Sequence, residues 1–551
     1  MTNTKKELAN SMENATGVIV KKGEEIVKRN LLENVIPTSF SKNHLQKKIH
    51  IHDLEFYSTT YNCIGVRVSD LIGNKPRSFS NALRELARKI VWLTNLQSGG
   101  IGFLDFDNDM APFIDGTSDE AAINDLREFF CDMNVFSRKG CEKPYVTFNF
   151  GLSTSNCGRR ISRLILIAYQ KGTENGNPFI FPNLVFKLKH EINVDPASPN
   201  HDLFLTAIST TAKRMVPTYF NCDSPANKNA PSDKIGIMGC RTRVVSNIYG
   251  EDSGLNRGNI ACVTMNLVQM AFESKGSLEQ YKENIKSAMK DSKELLISRF
   301  NTLVEQADFS ELRTHKIYKD SEKNDNFEML KNGTLSIGFI GVWDALSVIH
   351  NIEWKNTDEM QAYLSEALDI VKFMRSITDS YTAETKFNFS LLASAAEGVS
   401  GAFAEYDEKN LGKDSAVCKK GYYTNSFHVP VFVDTDYITK VDFESQFHQL
   451  CNGGSITYIE MGEMPLGNTE AVQEIVEYAY NAGCNYIGIN FPLDYCNDCS
   501  YIGRISNNCP KCGSLNITRL RRVSGYLAEE NRFTAGKRKE MKDRKAVRNL
   551  K

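Results

Sequence analysis

Four cysteines near the end of the chain, in Cys496-Asn-Asp-Cys499 and Cys509-Pro-Lys-Cys512, constrain this sequence more than any other stretch. Each CxxC turn offers two thiolates to one ion, and two such turns complete a tetrahedron. Pro510, Gly503 and Gly513 suit a compact knuckle. Four thiolates leave no open coordination position, so the ion, read as Zn2+, is structural rather than catalytic. A short way downstream stands Arg522-Val-Ser-Gly525-Tyr526, a glycine in a loop setting. The pairing suggests a rigid metal clip that positions a special glycine, and the upstream sequence must then supply the pocket that glycine enters.

Hydrophobic residues at 41% and charged residues at 24% describe an ordinary globular chain of 551 residues. A formal net charge of −1 exerts no general pull on nucleic acid or anionic membrane. The polar start, Met1-Thr-Asn-Thr-Lys-Lys-Glu, lacks the apolar core of a signal peptide. The apolar run at 335–349 is too short to span a bilayer and contains Asp344. A cytoplasmic protein without membrane contact is expected. Of the 14 cysteines, those outside the clip read mostly as small buried hydrophobes of a reducing compartment, with one or two catalytic thiols among them.

Periodicity predicts helices over 79–97, 278–304 and 358–375, and helical patterning in the first 50 residues. Strand-sized runs are expected at 48–53, 57–66, 179–181, 185–188, 263–267, 428–433 and 456–459. Strands alternating with helices argue for an α/β architecture with its sites on loops. The basic tail (Lys537, Arg538, Lys539, Lys542, Arg544, Lys545, Arg548, Lys551) reads as a solvated helix or fray.

Taken with the knuckle upstream, Arg522-Val-Ser-Gly525-Tyr526 resembles the motif of glycyl radical enzymes, and specifically that of class III anaerobic ribonucleoside-triphosphate reductases. The resemblance runs over nearly the whole chain. It takes in Ile49-His-Ile-His52-Asp53, Tyr61-Asn-Cys63, Met238-Gly-Cys240-Arg241, Gly258-Asn259-Ile-Ala-Cys262, Thr334-Leu-Ser336 and Asn452-Gly-Gly-Ser. Met-Gly-Cys-Arg is the most diagnostic of these. Two departures stand out. The chain enters the family's core pattern almost at once, so the ATP-binding regulatory cone of many members is expected to be absent. Ala395 also stands where the family is expected to have Pro.

What the resemblance implies is a ten-stranded α/β barrel of the ribonucleotide reductase and glycyl radical enzyme type. Residues 1–490 would form the catalytic barrel with its finger loop, 491–515 the zinc knuckle, and 516–551 the radical loop and tail. Gly525 would store the radical, since a glycine Cα can become planar without steric penalty. Cys240 would give that radical its hydrogen, and the resulting thiyl would remove the ribose 3′-hydrogen. Cys63 would protonate the departing 2′-hydroxyl, and Asn259 would orient the ribose hydroxyls. The implied function is anaerobic reduction of ribonucleoside triphosphates, with formate as reductant. Implied partners are dNTP and ATP effectors, an S-adenosylmethionine-dependent iron–sulfur activase and a second copy of the chain.

Three further residues are candidates for holding substrate. His50 and His52 fall on one face of a strand at i, i+2, and His52 is assigned to the substrate while His50 packs. The segment carrying Ser336, followed by a helical run, and Ser394 are assigned to triphosphate oxygens at a helix N-terminus. The thiol of Cys262, two positions before Thr264 in a β-rich run, is expected in the core. The nearest rival is another glycyl radical enzyme, an acyl lyase or dehydratase, whose thiyl sites favour adjacent Cys-Cys or Cys-x-Glu. No Cys-Cys occurs here. A rival from another class, a zinc-ribbon nucleic-acid binder, is disfavoured by the near-zero net charge.

Overall fold

A computed structural model describes residues 14–75, 77–395, 397–412, 414–522 and 525–548. Its centre is one large mixed sheet. In chain order its strands are β1 (Ile49–Ile51), β2 (Cys63–Val66), β3 (Ile101–Phe103), β4 (Val146–Phe150), β5 (Asn183–Leu188), β6 (Thr218–Asn221), β7 (Arg257–Asn266), β8 (Thr334–Ile340), β9 (Asn388–Ala393), β10 (Thr457–Glu460) and β11 (Tyr486–Asn490). The hydrogen-bonded path is β10-β11-β6-β5-β4-β3-β2-β7-β8-β9, with β1 added beside β7. Strands β2 to β6 run parallel to one another, as do β7 to β9 and the pair β10–β11; the first group meets the second antiparallel at β2–β7 and the third antiparallel at β6–β11. At the ends of the path, Leu392 of β9 bridges Gly454, just ahead of β10.

The strands are nearly continuous in burial, as expected of parallel sheets covered by helices. The longest cover is the helix Leu278–Gln306, started by the Ser277 hydroxyl, which accepts from Gln280 N at 3.2 Å. It buries Tyr281, Ile285, Met289, Leu296, Phe300 and Leu303 at helical spacing. Its Arg299 is buried too, donating to the His52 carbonyl at 2.8 Å, which ties the helix to the end of β1. No described helix is long and apolar enough to cross a membrane.

Several expectations are corrected. The helix placed at 358–375 is two: a turn over Thr357–Gln361, capped by Asn356, and a helix over Leu364–Thr385 that runs ten residues further. Residues 428–433 form no strand. Pro430 has no N–H, Val429 N donates to the Glu444 carboxylate at 3.0 Å, and Val433 N turns back to Pro430 O at 2.9 Å. Residues 179–181 lie outside the strand β5, which begins two residues later. The C-terminal segment carries a helix and is solvated on one side only: Lys539, Lys542, Lys545 and Arg548 are exposed, Lys537 is buried, and Lys551 lies outside the described residues. Its helix, Ala535–Asp543, packs on the helix Glu397–Asn410 where Gly536 meets Gly401, so closely that a Cβ on Gly536 would lie 2.7 Å from Gly401 Cα. Lys537 and Glu540 are buried and bonded at 2.6 Å, and Arg544 bridges Glu540 at 3.0 Å to Glu460 at 3.2 Å. Basic residues counted along the sequence conceal this, because Glu540 stands one turn along the same helix and Glu460 is brought in from β10.

Candidate active site

The chain between β6 and β7 enters the face of the sheet that carries Asn259. Ile237 is held from both sides by Asn149, whose Nδ2 donates to Ile237 O at 2.9 Å and whose Oδ1 accepts from Ile237 N at 2.8 Å. Met238 N donates to Thr242 O at 3.1 Å, closing a turn with Cys240 at its tip. The passage is narrow. At Gly100 a Cβ would overlap the Met238 carbonyl, so only a bare Cα lets the loop pass.

Gly525 meets this tip directly. A Cβ on Gly525 would run into the carbonyl oxygen, carbonyl carbon and Cα of Cys240, so the glycine backbone sits against the cysteine backbone. Residues on either side pin it there. Arg522, 1% exposed, sends Nη1 to Gly525 O at 3.5 Å, Nε to Asn490 Oδ1 at 2.8 Å and Nη2 to the Met215 carbonyl. Tyr526 lies edge-on to Tyr145 at 5.1 Å between ring centroids, and its hydroxyl donates to Glu397 at 3.1 Å. Val523 and Ser524 are outside the described residues.

Cys63 comes to the same place through strand pairing, since β2 sets it opposite Asn259 of β7. Its thiol donates to Asn62 Oδ1 at 2.6 Å, and Gly100 N donates to its sulfur at 3.3 Å. Burial pushes the Cys63 thiol up to about 12, against the Gly100 N–H and with a smaller push from nearby Cys240. Burial likewise pushes Cys240 up to about 11, opposed by Arg241 and helped by Glu397. Both sulfurs therefore carry their hydrogens at neutral pH. That is the form needed to donate a hydrogen atom or a proton.

Around the thiols the sheet turns a polar face. A register shift between Asn259 and Ala261 brings Cys262 opposite Ser336 and Thr264 opposite Gly338, on the side that Asn259 faces. Asn259 Nδ2 donates to Ser336 Oγ at 2.7 Å, and Ser336 bonds Ser390 at 2.8 Å. A second chain runs from His52 Nε2 to Thr264 Oγ1 at 2.8 Å and on to Ser394 Oγ at 2.6 Å. Ser336 thus departs from its expected place. It lies inside β8, paired on both sides, so its backbone is engaged in the ladder and cannot form a helix-terminal cradle. Ser394 does sit just ahead of the helix Glu397–Asn410. Cys262 is buried as expected, yet on the site face rather than among apolar side chains. The bulge that turns it there has no signature in a single sequence.

Past the sheet a small antiparallel unit forms from β12 (Leu493–Cys496), β13 (Ile502–Gly503), β14 (Ile517–Arg522) and β15 (Leu527–Glu529). Cys496, Cys499, Cys509 and Cys512 converge at one end, their sulfurs all within 4.8 Å of one another. The closest pairs are 3.5 Å (Cys499–Cys509) and 3.6 Å (Cys496–Cys512). Four thiolates bound to zinc at about 2.3 Å stand about 3.8 Å apart, so this donor set fits a tetrahedral zinc ion. Strand β14 leads from the cluster straight to Arg522, which bonds the Gly525 carbonyl.

This fold has relatives of known structure. The anaerobic ribonucleotide reductase of Thermotoga maritima in complex with dATP and CTP superposes with a TM-score of 0.73 at 16% identity, covering 96% of this chain and 92% of that one. In sequence, the anaerobic ribonucleoside-triphosphate reductase of Escherichia coli K12 is 28% identical over 94% of this chain and 80% of its own length. That of Enterobacteria phage T4 is 25% identical over 94% and 93%. The family model for anaerobic ribonucleoside-triphosphate reductase matches residues 7–546. The fold and site define a large mixed α/β enzyme with a buried and a half-buried thiol beside a loop glycine. The chain belongs to the anaerobic ribonucleoside-triphosphate reductase family and is an oxidoreductase.

Proposed function

We propose that this enzyme reduces ribonucleoside triphosphates to 2′-deoxyribonucleoside triphosphates by carrying a radical from Gly525 through Cys240 to the ribose, with formate as the reductant. The observation that carries this reading is the contact between the Gly525 and Cys240 backbones. An S–H bond is close in strength to the C–H bonds it exchanges with, so transfer is nearly thermoneutral and depends on contact geometry.

In this mechanism the Gly525 radical takes the Cys240 hydrogen, and the thiyl removes the ribose 3′-hydrogen. The 2′-hydroxyl leaves as water with a proton from Cys63. Asn259, with Ser336 beside it, orients the ribose hydroxyls. His52 and Ser394, joined through Thr264, hold the substrate further along, with triphosphate oxygens toward the N-terminus of the helix Glu397–Asn410. Formate leaves as carbon dioxide, its hydrogen and two electrons replacing C–OH by C–H at the 2′ position, and a solvent proton restores the Cys63 thiol. Cys240 then returns its hydrogen to the 3′ position and regains one from Gly525.

The sheet is inferred to close as a ten-stranded barrel within residues 1–490, with the zinc knuckle at 491–515 and the radical loop and tail at 516–551. Zinc would hold β14 so that Gly525 enters the site, and would take no part in the redox step. A separate S-adenosylmethionine-dependent iron–sulfur activase would generate the radical. By analogy with the dATP and CTP complex of the Thermotoga maritima relative, nucleotides would serve as effectors as well as substrates, and the family resemblance of the sequence implies a homodimer.

The test is anaerobic activation with an activase, S-adenosylmethionine and a reductant. A glycyl doublet should appear in electron paramagnetic resonance and be absent from Gly525→Ala. Formate-dependent deoxynucleotide formation should be lost in Cys240→Ser and Cys63→Ser. Turnover surviving in either variant rejects the thiol assigned to that step.

A further inference from the structure

The Cys63 thiol is held by a pair of side chains whose order is set one residue further away. Asn62 is the acceptor for the thiol, at 2.6 Å from Oδ1 to Sγ. Its Nδ2 donates to Asp53 Oδ2, and the same oxygen accepts from Ser98 Oγ at 2.9 Å. A carboxylate only accepts, so the Asn62 amide has one orientation that satisfies it: nitrogen toward Asp53, oxygen toward the sulfur. Gly99 leaves room for this pair. A Cβ there would press on Cys63 Sγ at 2.6 Å and on Asn62 Oδ1 at 2.7 Å.

Asp53 is itself tightly held. It follows β1 in the left-handed region, with φ 49°, where few residues other than glycine are comfortable. Arg299 of the helix Leu278–Gln306 clamps the backbone on both sides of that turn, donating to His52 O at 2.8 Å and Asp53 O at 3.4 Å. Asn62 N donates to Asn259 O at 3.0 Å, which fixes the other partner.

We infer that Asp53 is a positioning residue of the reduction: by fixing the Asn62 amide, its carboxylate keeps an acceptor rather than a donor against the Cys63 sulfur. This rests on the reading of Cys63 as the proton donor. An amide oxygen beside sulfur favours S–H. The amide nitrogen, turned to the same place, would favour the thiolate, which has no proton to give. The other influences on Cys63 are the Gly100 N–H and the Thr242 side chain, which favour the thiolate, and Cys240 and the negative charge of Asp53 itself, which disfavour it. The Asn62 orientation therefore acts against the two donors already present.

The experiment uses the full-length enzyme activated anaerobically. In Asp53→Asn either edge of the new amide can meet either edge of Asn62, so the reversed orientation becomes populated. The glycyl doublet should form at the wild-type level, because Gly525 and Cys240 are untouched. The kcat should fall about 10- to 100-fold, part of what a general acid contributes, with KM little changed and a falling basic limb entering the accessible pH range. The double variant Asp53→Asn/Asn62→Asp again presents an acceptor to the thiol and should recover most of the lost kcat and remove the basic limb. Wild-type turnover in Asp53→Asn overturns the inference. So does a double variant no better than the single one, or loss of the doublet in Asp53→Asn, which would mean that Asp53 supports the fold and not the thiol. Turnover in Cys63→Ser would instead reject the proton-donor reading itself.

Discussion

Replacing Glu540 by Ala should detach the C-terminal segment locally while the rest of the enzyme stays folded. Lys537 and Glu540 are each 2% exposed and bonded at 2.6 Å. Arg544 closes the network, reaching Glu540 at 3.0 Å and Glu460 at 3.2 Å. Burial pulls the Lys537 titration down, while Lys537 and Arg544 hold the Glu540 carboxyl below its usual range against its own burial. Removing one partner from such a network leaves uncompensated buried charge, which costs about 3–5 kcal/mol. At about 1.4 kcal/mol per tenfold, the local opening equilibrium rises by roughly two to three and a half orders of magnitude.

Amide hydrogen exchange reads this directly. Lys545 N, Val547 N and Arg548 N donate to Val431 O, Glu460 O and Thr435 O, each at 2.9 Å, and these bonds exist only while the segment is docked. Their exchange should accelerate by that factor, and protection around β11 should fall as well, because Asn490 donates to Glu460 at 2.8 Å and accepts from Arg522. A Lys537→Met/Glu540→Leu variant, which removes both charges and keeps the volume, should exchange nearly as slowly as wild type. Unchanged exchange at 545, 547 and 548 in Glu540→Ala would refute the reasoning. So would a double variant as open as the single one.

Two further outcomes are expected. Cys509→Ser should lose the bound metal, measured by elemental analysis, and raise exchange along Ile517–Arg522, because site order in a small metal unit comes largely from the ion; full metal content in the variant would contradict the four-thiolate assignment. His448 is buried and neutral, its ring bonded to Asn485 N at 2.9 Å, Thr457 at 2.9 Å and Ser455 at 3.1 Å, and burial pushes its titration down to about 3. Its unfolded value lies near 6.5, so the unfolded chain binds the extra proton below that pH, and the stability of the neutral ring is lost as pH falls. The stability gap between wild type and His448→Asn should therefore narrow by about 1.4 kcal/mol per unit below pH 6, and a gap independent of pH would show that the ring is not held neutral.

Much of the secondary structure was legible because it is local. The helices Phe79–Thr94 and Leu278–Gln306 follow from side-chain period, with Ser78 and Ser277 as their caps, and the 263–266 half of β7 from its β-rich residues, while its first half, 257–262, is not among the expected strands. The failures share a cause. At 428–433 the apolar alternation is that of a strand, but Pro430 and the Glu444 carboxylate take the backbone elsewhere. Lys537 reads as a surface cation until Glu540 is seen one turn along, with Arg544 and Glu460 closing the network. Ser336 looks like the approach to a helix, yet two neighbouring strands claim its backbone.

By itself the sequence determined the metal clip, whose four ligands lie within one short segment, and the motif residues Gly525, Cys240, Cys63 and Asn259. Spacing and residue type suffice for the clip, whereas the other four are singled out by the resemblance of short motifs to a known family. Only the tertiary structure decided that Gly525 rests on Cys240, that Cys63 stands across from Asn259, and that Asp53 reaches Asn62. These are contacts between elements hundreds of residues apart or on separate turns. They depend on strand register, on the bulge in β7 and on bare Cα atoms at Gly99, Gly100 and Gly525, where one added carbon would part the groups that have to meet.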